Sequence, residues 1–432
     1  LFRSPGTFAV KQGQTIAFSG NSGGSQGPHL HFEIRDTRTD KVLNPLLFGF
    51  SINDTIAPNI IDLDIYDRNL STYEQSPKII PLKKAGGQYV TEQDVITLNT
   101  DKISFGIRAY DKCSGSTNQN GIYSATLFDG EKPMLVFCMN NISYDETRYL
   151  NAHIDYKTKL SGGPYIEHLT ILPGSIPGIY EGSTTNGVIH LEEGKTHQIR
   201  IEVADVNGNR TNLRFSVMGN KPMSTSWTEG GPLFKPRQIN VFENADIAFY
   251  LNENALYDSF HFTFASLKNP SGIIYKIHND LTPLHTYYSL GLKAPKPFSD
   301  TSRVIMKCTF AENDEFKKAV FDKGYYRASF RNFGNFELFQ DTLPPVITPI
   351  GFREGMKIPP GGRLLFRVTD NAEDLASCDG YIDGDWILLS NDKGKIFIHT
   401  FDDRTEPGSH ELKIVAVDQV GNKTEKKYHF IK

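Results

Sequence analysis

The stretch IEVADVNGNRT, residues 201–211, has a near copy, IVAVDQVGNKT, at residues 414–424. Each copy contains an apolar-rich run, an aspartate, a turn with Gly-Asn and the start of a second run. Glycine suits such turns because it adopts left-handed backbone conformations without a steric penalty. Two runs joined by a tight turn are typical of paired antiparallel strands. The repeat therefore predicts two β domains that end in the same way.

A second pair of similar segments opens these two blocks. NDTIAP at residues 53–58 is matched by QDTLPP at residues 340–345, and a short apolar-rich strand follows each. Inside each block an Asp-Gly pair, at 129–130 and at 383–384, lies between strand-like runs and predicts a hairpin. Repeated strand–turn units over roughly 90 residues are typical of immunoglobulin-like β-sandwiches. The blocks resemble the Ig-like modules appended to bacterial surface and periplasmic enzymes.

The length of 432 residues favours three to four domains. The middle of the chain carries neither repeat opener but is rich in alternating aromatic residues, which favours another sandwich. Helical patterns are scarce, and the best candidate is residues 312–320. The fold class we predict is all-β, a partial peptidase β-sheet domain followed by a string of Ig-like sandwiches. The predicted domains are residues 1–50, 54–219 (with an insertion near 140–187), 221–340 and 341–432.

Composition excludes several classes of function. The net charge is −4, so nothing electrostatic points to nucleic acid or to an anionic membrane surface. No apolar run approaches the roughly 18–20 residues of a membrane-spanning helix. The four cysteines lack the C-x-x-C spacing of zinc knuckles or redox sites. Cys113 and Cys138 leave two alternatives open, a disulfide or two small buried thiols.

The stretch GPHLHFEI, residues 27–34, carries the chemistry of the N-terminal piece. Side chains alternate along a strand, so His29 and His31 project from one face and Leu30 and Phe32 from the other. Two imidazoles on one face can share a metal-centred task. One binds Zn²⁺ through a neutral ring nitrogen, and the other holds or exchanges protons with the metal-bound water.

This stretch resembles the C-terminal half of the lysostaphin-type zinc metallopeptidases, which cut peptide cross-links in bacterial cell walls. The resemblance extends over about forty residues and follows the family's order. It is carried by four motifs, KQGQ at 11–14, GNSG at 20–23, GPHLHFE at 27–33 and VLNPL at 42–46. A bare H-x-H would favour two histidines on the polar face of an ordinary strand, and the flanking motifs reverse that interpretation.

The resemblance implies that His31 is a zinc ligand. It also implies that His29 is the catalytic histidine, which orients the water or stabilises the oxyanion. Glu33, on the histidine face, is expected to fix the tautomer of a ligating histidine rather than to react. The family completes its site with an upstream H-x-x-x-D, but residues 1–28 contain neither His nor Asp. Because a catalytic zinc needs three protein ligands, we expect residues 1–432 alone to be inactive.

The expected function is zinc-dependent hydrolysis of peptidoglycan cross-links, with the Ig-like modules as accessory domains. Peptidoglycan peptide is then the partner, and an extracytoplasmic location follows from that substrate. The alternative is a catalytically incomplete envelope scaffold that binds cell wall or a partner protein. The sequence does not indicate the oligomeric state or the bond cut.

A calcium site is a third possibility, suggested by Asp205, Asn207 and Asn209, since Ca²⁺ prefers clustered oxygen ligands. A hairpin turn is the better interpretation of these residues. Gly208 and Gly421 stand where a left-handed turn residue is wanted.

Overall fold

The chain is almost entirely β-structure, and it forms two compact units. One unit comprises residues 33–340, and the other comprises residues 1–32 and 341–432. The computed structural model describes residues 8–17, 27–50, 52–176, 178–181, 183, 185–220, 230–269, 272–359, 361–392, 395–402 and 404–432.

The first part of the larger unit is a sandwich preceded by two very short strands. Its elements are β1 (Ile34–Arg35), β2 (Val42–Leu43), β3 (Asn59–Asp67), β4 (Lys78–Ala85), β5 (Gln88–Thr91), β6 (Ile96–Leu98), β7 (Lys102–Tyr110), β8 (Ser124–Asp129), β9 (Lys132–Cys138), β10 (Asn141–Ile142), α1 (Leu150–His153), α2 (Tyr156–Leu160), β11 (Glu167–His168), β12 (Tyr180–Glu181), β13 (Ile189–His190), β14 (Thr196–Ala204) and β15 (Arg210–Gly219).

This first sandwich has one face built on β7, β3 and β4 and the other on β5, β15, β14, β8 and β9. Strand β4 belongs to both faces, since residues 78–81 pair with β3 and residues 82–85 pair with β5. In β14 the buried residues Ile199, Ile201 and Val203 alternate with Arg200 and Glu202. Because burial alternates with a period of two residues, one face of the strand packs in the core and the other faces outward, as expected of a half-buried sheet.

Residues 33–44, called the peptidase-like segment below, belong to the larger unit and are attached to the first sandwich through a small sheet. Strand β2 pairs with β1 on one side and with β10 on the other, and all three are two residues long. Asn44 extends this attachment, because its backbone N–H donates to the carbonyl of Asn140 and its side-chain amide donates to the carbonyl of Met139. The side-chain oxygen of Asn44 also accepts from the N–H of Leu46 at the start of a 3₁₀ turn. The Asn-Pro of the motif is therefore an anchor.

The middle domain is a second sandwich, of two five-stranded sheets with an aromatic core. The sheets run β17-β18-β22-β26-β25 and β20-β21-β27-β23-β24, and β16 pairs with β19. Phe260, Phe330, Phe333 and Phe336 are fully buried between the sheets. The strands are β16 (Leu233–Phe234), β17 (Asn240–Glu243), β18 (Ile247–Leu251), β19 (Phe260–His261), β20 (Phe264–Asn269), β21 (Gly272–Ile277), β22 (Tyr288–Leu292), β23 (Val304–Phe310), β24 (Asn313–Lys318), β25 (Val320–Asp322), β26 (Tyr325–Phe330) and β27 (Gly334–Gln340).

A buried contact joins the first sandwich to the middle domain. Arg68 and Asp258 form an ion pair at 3.2 Å, with 8% and 6% of their side chains exposed. Asp258 also accepts hydrogen bonds from the backbone N–H and the hydroxyl of Thr72. Tyr257, fully buried, donates its hydroxyl to the carbonyl of Arg148. Because ionised groups are costly to bury unless they are paired, these partners depend on one another.

The last domain is a sandwich whose strand order settles its class. Its strands are β28 (Val346–Ile350), β29 (Met356–Lys357), β30 (Arg363–Thr369), β31 (Leu375–Ile382), β32 (Asp385–Ile387), β33 (Ser390–Asp392), β34 (Ile396–Thr400), β35 (Ser409–Asp418) and β36 (Lys423–Ile431). The sheets run β28-β30-β34-β33 and β29-β36-β35-β31-β32, with β29 parallel to β36. If β28, β30, β31, β33, β34, β35 and β36 are named A to G in chain order, the two sheets are the ABED and GFC sheets of an immunoglobulin fold. The short strands β29 and β32 extend the GFC sheet. The predicted all-β, Ig-like class is confirmed.

One expectation about local structure is wrong. Residues 312–320, the best helix candidate, contain β24, which forms a hairpin with β23. Ala311 and Glu312 both have positive φ and make the turn, although neither is a residue type that signals one. The described helices, α1 and α2, instead lie in the predicted insertion.

Two further observations concern the cysteines and the membrane. All four cysteines are free thiols, so Cys113 and Cys138 are not disulfide-bonded. Among the described residues, no helix is long and apolar enough to cross a bilayer.

Candidate functional site

The two histidines of the H-x-H motif lie in a stretch without regular secondary structure, just before β1. Both His29 and His31 are exposed to solvent. Leu30 and Phe32, expected on the opposite face, are 88% and 58% exposed. The structure therefore places both imidazoles at the surface and not in an apolar core. The roles of His29 as catalytic residue and His31 as metal ligand remain predictions.

A hydrogen bond restricts the tautomer of His29. Its Nδ1 lies 2.9 Å from the carbonyl oxygen of Gly27. A carbonyl oxygen only accepts, so Nδ1 carries the proton in this contact, and in the neutral ring Nε2 is the unprotonated nitrogen. That arrangement suits a histidine that takes a proton through Nε2.

Glu33 is held by residues of the larger unit. Its Oε1 accepts a 2.6 Å hydrogen bond from the hydroxyl of Tyr144, and its Oε2 accepts from Nε of Arg35 at 2.8 Å. The hydrogen bond to Glu33 raises the pKa of Tyr144, and the same carboxylate raises the pKa of Arg35. The Arg35 guanidinium also lies 5.0 Å from the centre of the Tyr144 ring. These contacts fix the carboxylate of Glu33 where β1 begins, and its predicted influence on a ligating histidine stays a prediction.

A second ion pair connects the segment to the same part of the first sandwich. Nζ of Lys41 lies 3.1 Å from Oε2 of Glu146, with 32% and 25% of the two side chains exposed. Burial alone raises the pKa of Glu146. Hydrogen bonds from the backbone of Ser143 and from Lys41 outweigh it, so the pKa of Glu146 is lowered. The segment from Glu33 to Asn44 is thus tied to β10 and the turn that follows it.

The described residues do not complete a zinc site around His31. Three or more metal-ligating side chains gather at two places in the described ranges, Asp54/Asp111/Asp205 and Asp341/Asp370/Asp418. Neither group contains His29 or His31. Because a catalytic zinc takes three protein ligands and water, the donors near the motif do not fit the metal by themselves. The glycine-rich motif at 20–23 lies outside the described residues.

In comparisons with known proteins, two family models match parts of the chain. Residues 6–45 match the family model of Peptidase family M23. Residues 232–341 match the model of the Zu5-like domain. No curated protein matches the chain. The peptidase match contains His29, His31 and Glu33, so a peptidase relationship is supported for this segment.

Solved structures resemble the chain only weakly. An endo-β-1,4-mannanase from Thermotoga petrophila is 16% identical, with 21% of this chain and 20% of that chain covered and a TM-score of 0.19. The chain thus spans about a fifth of the mannanase. Fibronectin(III)-like modules of Clostridium thermocellum CbhA are 6% identical, with 82% and 93% covered and a TM-score of 0.15. The SGBP-B protein of a Bacteroides ovatus mixed-linkage glucan utilization locus is 12% identical, with 88% and 70% covered and a TM-score of 0.17.

The sequence analysis missed the two aspartate groups and named only one of their members, Asp205, as a possible calcium ligand. The signal was present, because each block has an aspartate in its opener, after the strand that pairs with its first strand and in its closer. Of the three residues that suggested calcium, Asp205 belongs to the first group and Asn209 serves the turn. The side-chain amide of Asn207 donates to the carbonyl of Ile52. Gly208 has φ of 90°, and the N–H of Asn209 donates to the side chain of Asp205.

Proposed function

We propose that residues 6–45 are the C-terminal part of a metal-dependent endopeptidase site that cuts peptide cross-links in bacterial peptidoglycan. The observation that supports this proposal most strongly is the match of this segment to Peptidase family M23. Within the segment, His29 and His31 are both exposed to solvent. Exposed imidazoles two residues apart can be reached by a substrate and by a shared metal. The sandwiches then serve as accessory domains.

Within this proposal His29 is the proton-handling residue. Because its Nδ1 donates to Gly27, Nε2 is the nitrogen that accepts a proton or, once protonated, donates a hydrogen bond to a developing oxyanion. His31 supplies one nitrogen ligand to zinc. Since the described residues lack a complete ligand set, the other ligands come from elsewhere in the protein.

The substrate and the location are part of the same proposal. Peptidoglycan lies outside the cytoplasm, so the protein acts in the periplasm or at the cell surface. Glu33 and Asn44 are proposed as positioning residues. They tie the segment to the first sandwich, Glu33 through Tyr144 and Asn44 through the β9–β10 loop.

The test is digestion of purified peptidoglycan by the natural protein, with zinc content measured on the same samples. We expect His31→Ala to lose bound zinc and digestion together. We expect His29→Ala to keep zinc and lose at least about 100-fold in rate, the usual contribution of a general acid–base group. His190→Ala, which changes an exposed histidine in β13, is the matched control and retains both. Unchanged digestion in His31→Ala would overturn the assignment.

A second candidate function is a non-catalytic envelope protein that binds cell wall or a partner. The observation that favours it is the incomplete ligand set around His31 among the described residues. On this alternative the natural protein contains no zinc and digests nothing, yet it sediments with insoluble peptidoglycan. Zinc-free protein that binds the wall would select this candidate over the first.

A further inference from the structure

Three aspartates converge at one end of the first sandwich and three at one end of the last. Asp54 precedes β3, Asp111 follows β7, and Asp205 follows β14. In an immunoglobulin-like sandwich the start of the first strand and the ends of the second and sixth strands lie at the same end. The topology thus brings three carboxylates together, each offering an oxygen within 4.8 Å of the others.

The last sandwich repeats the arrangement residue for residue. Asp341 precedes β28, Asp370 follows β30, and Asp418 ends β35, and their ligand atoms also lie within 4.8 Å of one another. Two supporting hydrogen bonds from an asparagine are the same. The side-chain amide of Asn422 donates to Asp418 and to the carbonyl of Asp341, as Asn209 does to Asp205 and Asp54.

Both clusters contain buried carboxylate oxygens that lack a hydrogen-bond partner within the described part of the chain. Asp111 is 6% exposed and its Oδ1 has no hydrogen-bond partner among the described residues. Asp341 is 1% exposed and its Oδ2 likewise has none, and Oδ1 of Asp370 is buried without a partner in the same described ranges. Buried carboxylates are normally paired or bound to metal. These orphaned oxygens are therefore independent evidence of a missing positive partner.

The charges around these oxygens make the missing partner a cation. Burial raises the pKa of Asp111, and the carboxylates of Asp205 and Asp54 raise it further. In the last sandwich, burial together with Asp341 and Asp418 does the same to the pKa of Asp370. Within each cluster the neighbouring groups are all negatively charged carboxylates that repel one another, so a bound divalent cation would relieve the repulsion.

We propose that each of these two sandwiches binds one Ca²⁺, the first through Asp54, Asp111 and Asp205 and the last through Asp341, Asp370 and Asp418. Calcium binds oxygen at about 2.3–2.6 Å, so two oxygens on opposite sides of one ion are about 4.6–5.2 Å apart. Oxygens that all lie within 4.8 Å of one another can share one such ion. Ca²⁺ accepts six to eight oxygen ligands in flexible geometry, whereas the smaller Mg²⁺ demands near-ideal octahedral geometry.

The first site also has room for water ligands. Asp54, Asp111 and Asp205 line a cleft of about 240 Å³ together with Asn44, Asn120 and other residues. Because Ca²⁺ takes six to eight oxygens, waters in this cleft would complete a set that three carboxylates begin. The bound ion would tie the linker at Asp54, between the peptidase-like segment and β3, to the first sandwich.

The experiment is calcium titration of the full chain after treatment with EDTA, followed by calorimetry and thermal unfolding. We expect two equivalents of bound Ca²⁺ and a rise in the unfolding midpoint that Mg²⁺ at the same concentration does not reproduce. Asp111→Asn and Asp370→Asn each remove one equivalent, and the double variant removes both. Asp385→Asn, an exposed aspartate of β32, is the control and keeps two.

Opposite changes in the unfolding temperature, with and without calcium, distinguish a variant that has lost the ion from one that is misfolded. In EDTA, Asp111→Asn is expected to unfold at a higher temperature than wild type, because it removes one of three repelling charges. In calcium it unfolds at a lower temperature than wild type. Absence of calcium binding at about 10 mM, or an equal calcium response in the double variant, would overturn the proposal. Neither outcome depends on His31 or on zinc, so the endopeptidase proposal is tested separately.

Discussion

One short stretch of the first sandwich, residues 141–149, takes part in two attachments that are built differently. The peptidase-like segment is held by two-residue strands and by Tyr144 and Glu146, of which Tyr144 is 59% exposed. The middle domain is held by Arg148 and Tyr149 together with the buried Arg68–Asp258 pair. The first attachment is open to solvent, and the second is largely closed to it.

This difference teaches where the chain is free to rearrange. Exposed ion pairs contribute little, because water and salt screen them. Breaking one partner of a buried pair is strongly destabilising, because the other charge is left without compensation. The first sandwich and middle domain should therefore open together, while the peptidase-like segment opens at a lower free energy.

The largest effect is expected from Asp258→Ala, which leaves the Arg68 guanidinium buried without its partner. We expect a loss of about 3–5 kcal/mol in the free energy of unfolding, measured by urea denaturation of the full chain. Asp322→Ala, which removes a half-exposed aspartate paired with Arg327, is the control and should cost under about 1 kcal/mol. Replacing both buried partners, with Arg68→Met and Asp258→Leu together, should recover most of the loss. Equal losses in Asp258→Ala and the control would contradict the comparison.

A smaller effect is expected from Tyr257→Phe. The ring stays buried, but the hydroxyl that donates to the carbonyl of Arg148 and lies 2.9 Å from Nδ1 of His285 is lost. The hydroxyl donates to Arg148 and therefore accepts from His285, and at about 1 kcal/mol for each hydrogen bond the expected loss is about 2 kcal/mol. The same denaturation experiment measures it. Tyr250→Phe, an exposed tyrosine in β18, should leave the midpoint unchanged. A loss as large as that of Asp258→Ala would show that the ring, and not the hydroxyl, had been disturbed.

Acid should weaken the two attachments in different pH ranges. Burial, with Arg148 and Arg331 nearby, lowers the pKa of His285 below 6.5. The unfolded chain then binds a proton at higher pH than the folded chain, so the contact between first sandwich and middle domain loses stability as pH falls below about 6.5. Glu146, whose pKa is lowered from 4.5, weakens the other attachment only below about pH 4.5. Unfolding curves at about pH 7.5, 5.5 and 4 measure the difference. His285→Gln should reduce the upper step, to which other buried histidines with a lowered pKa also contribute.

The smallest effect on global stability is expected from Tyr144→Phe, which removes the hydroxyl bound to Glu33. The unfolding midpoint should stay unchanged, because the contact is exposed. Amide hydrogen exchange of residues 34–43 should become faster, and mass spectrometry of peptic fragments measures it. Exchange in β14 is the internal control. Slower or unchanged exchange at 34–43 would show that the strand pairing alone holds the segment.

Much of the sandwich architecture could be predicted from local sequence. The Asp-Gly pair at 383–384 has positive φ at both residues and forms the hairpin turn between β31 and β32, as its residue types demand. The repeated aspartate–turn closers likewise mark the ends of β14 and β35. The turn at Ala311-Glu312 escaped prediction because the pairing of Phe310 with Asn313 leaves a two-residue loop, which requires a positive φ that neither residue type prefers.

The attachments could not be predicted because they depend on residues far apart in sequence. Arg68 and Asp258 are separated by 190 positions, and nothing near either residue indicates the other. For the candidate site, sequence singled out His29, His31 and Glu33. Only the structure shows that Tyr144, in a stretch without a clear period, holds Glu33. The aspartate clusters lay within reach of sequence, since the repeats align all six residues.

The close approach at Gly174 has an evolutionary consequence. A Cβ at this position would overlap the carbonyl oxygen of Leu256, and the Gly174 N–H donates to the carbonyl of Tyr257. Only a residue without a side chain fits there while the middle domain is docked. Homologues that retain this docking should be invariant for glycine here, whereas those that have lost the domain should drift freely at the site. The residue aligned with Gly174 would then show whether a homologue has lost the middle domain.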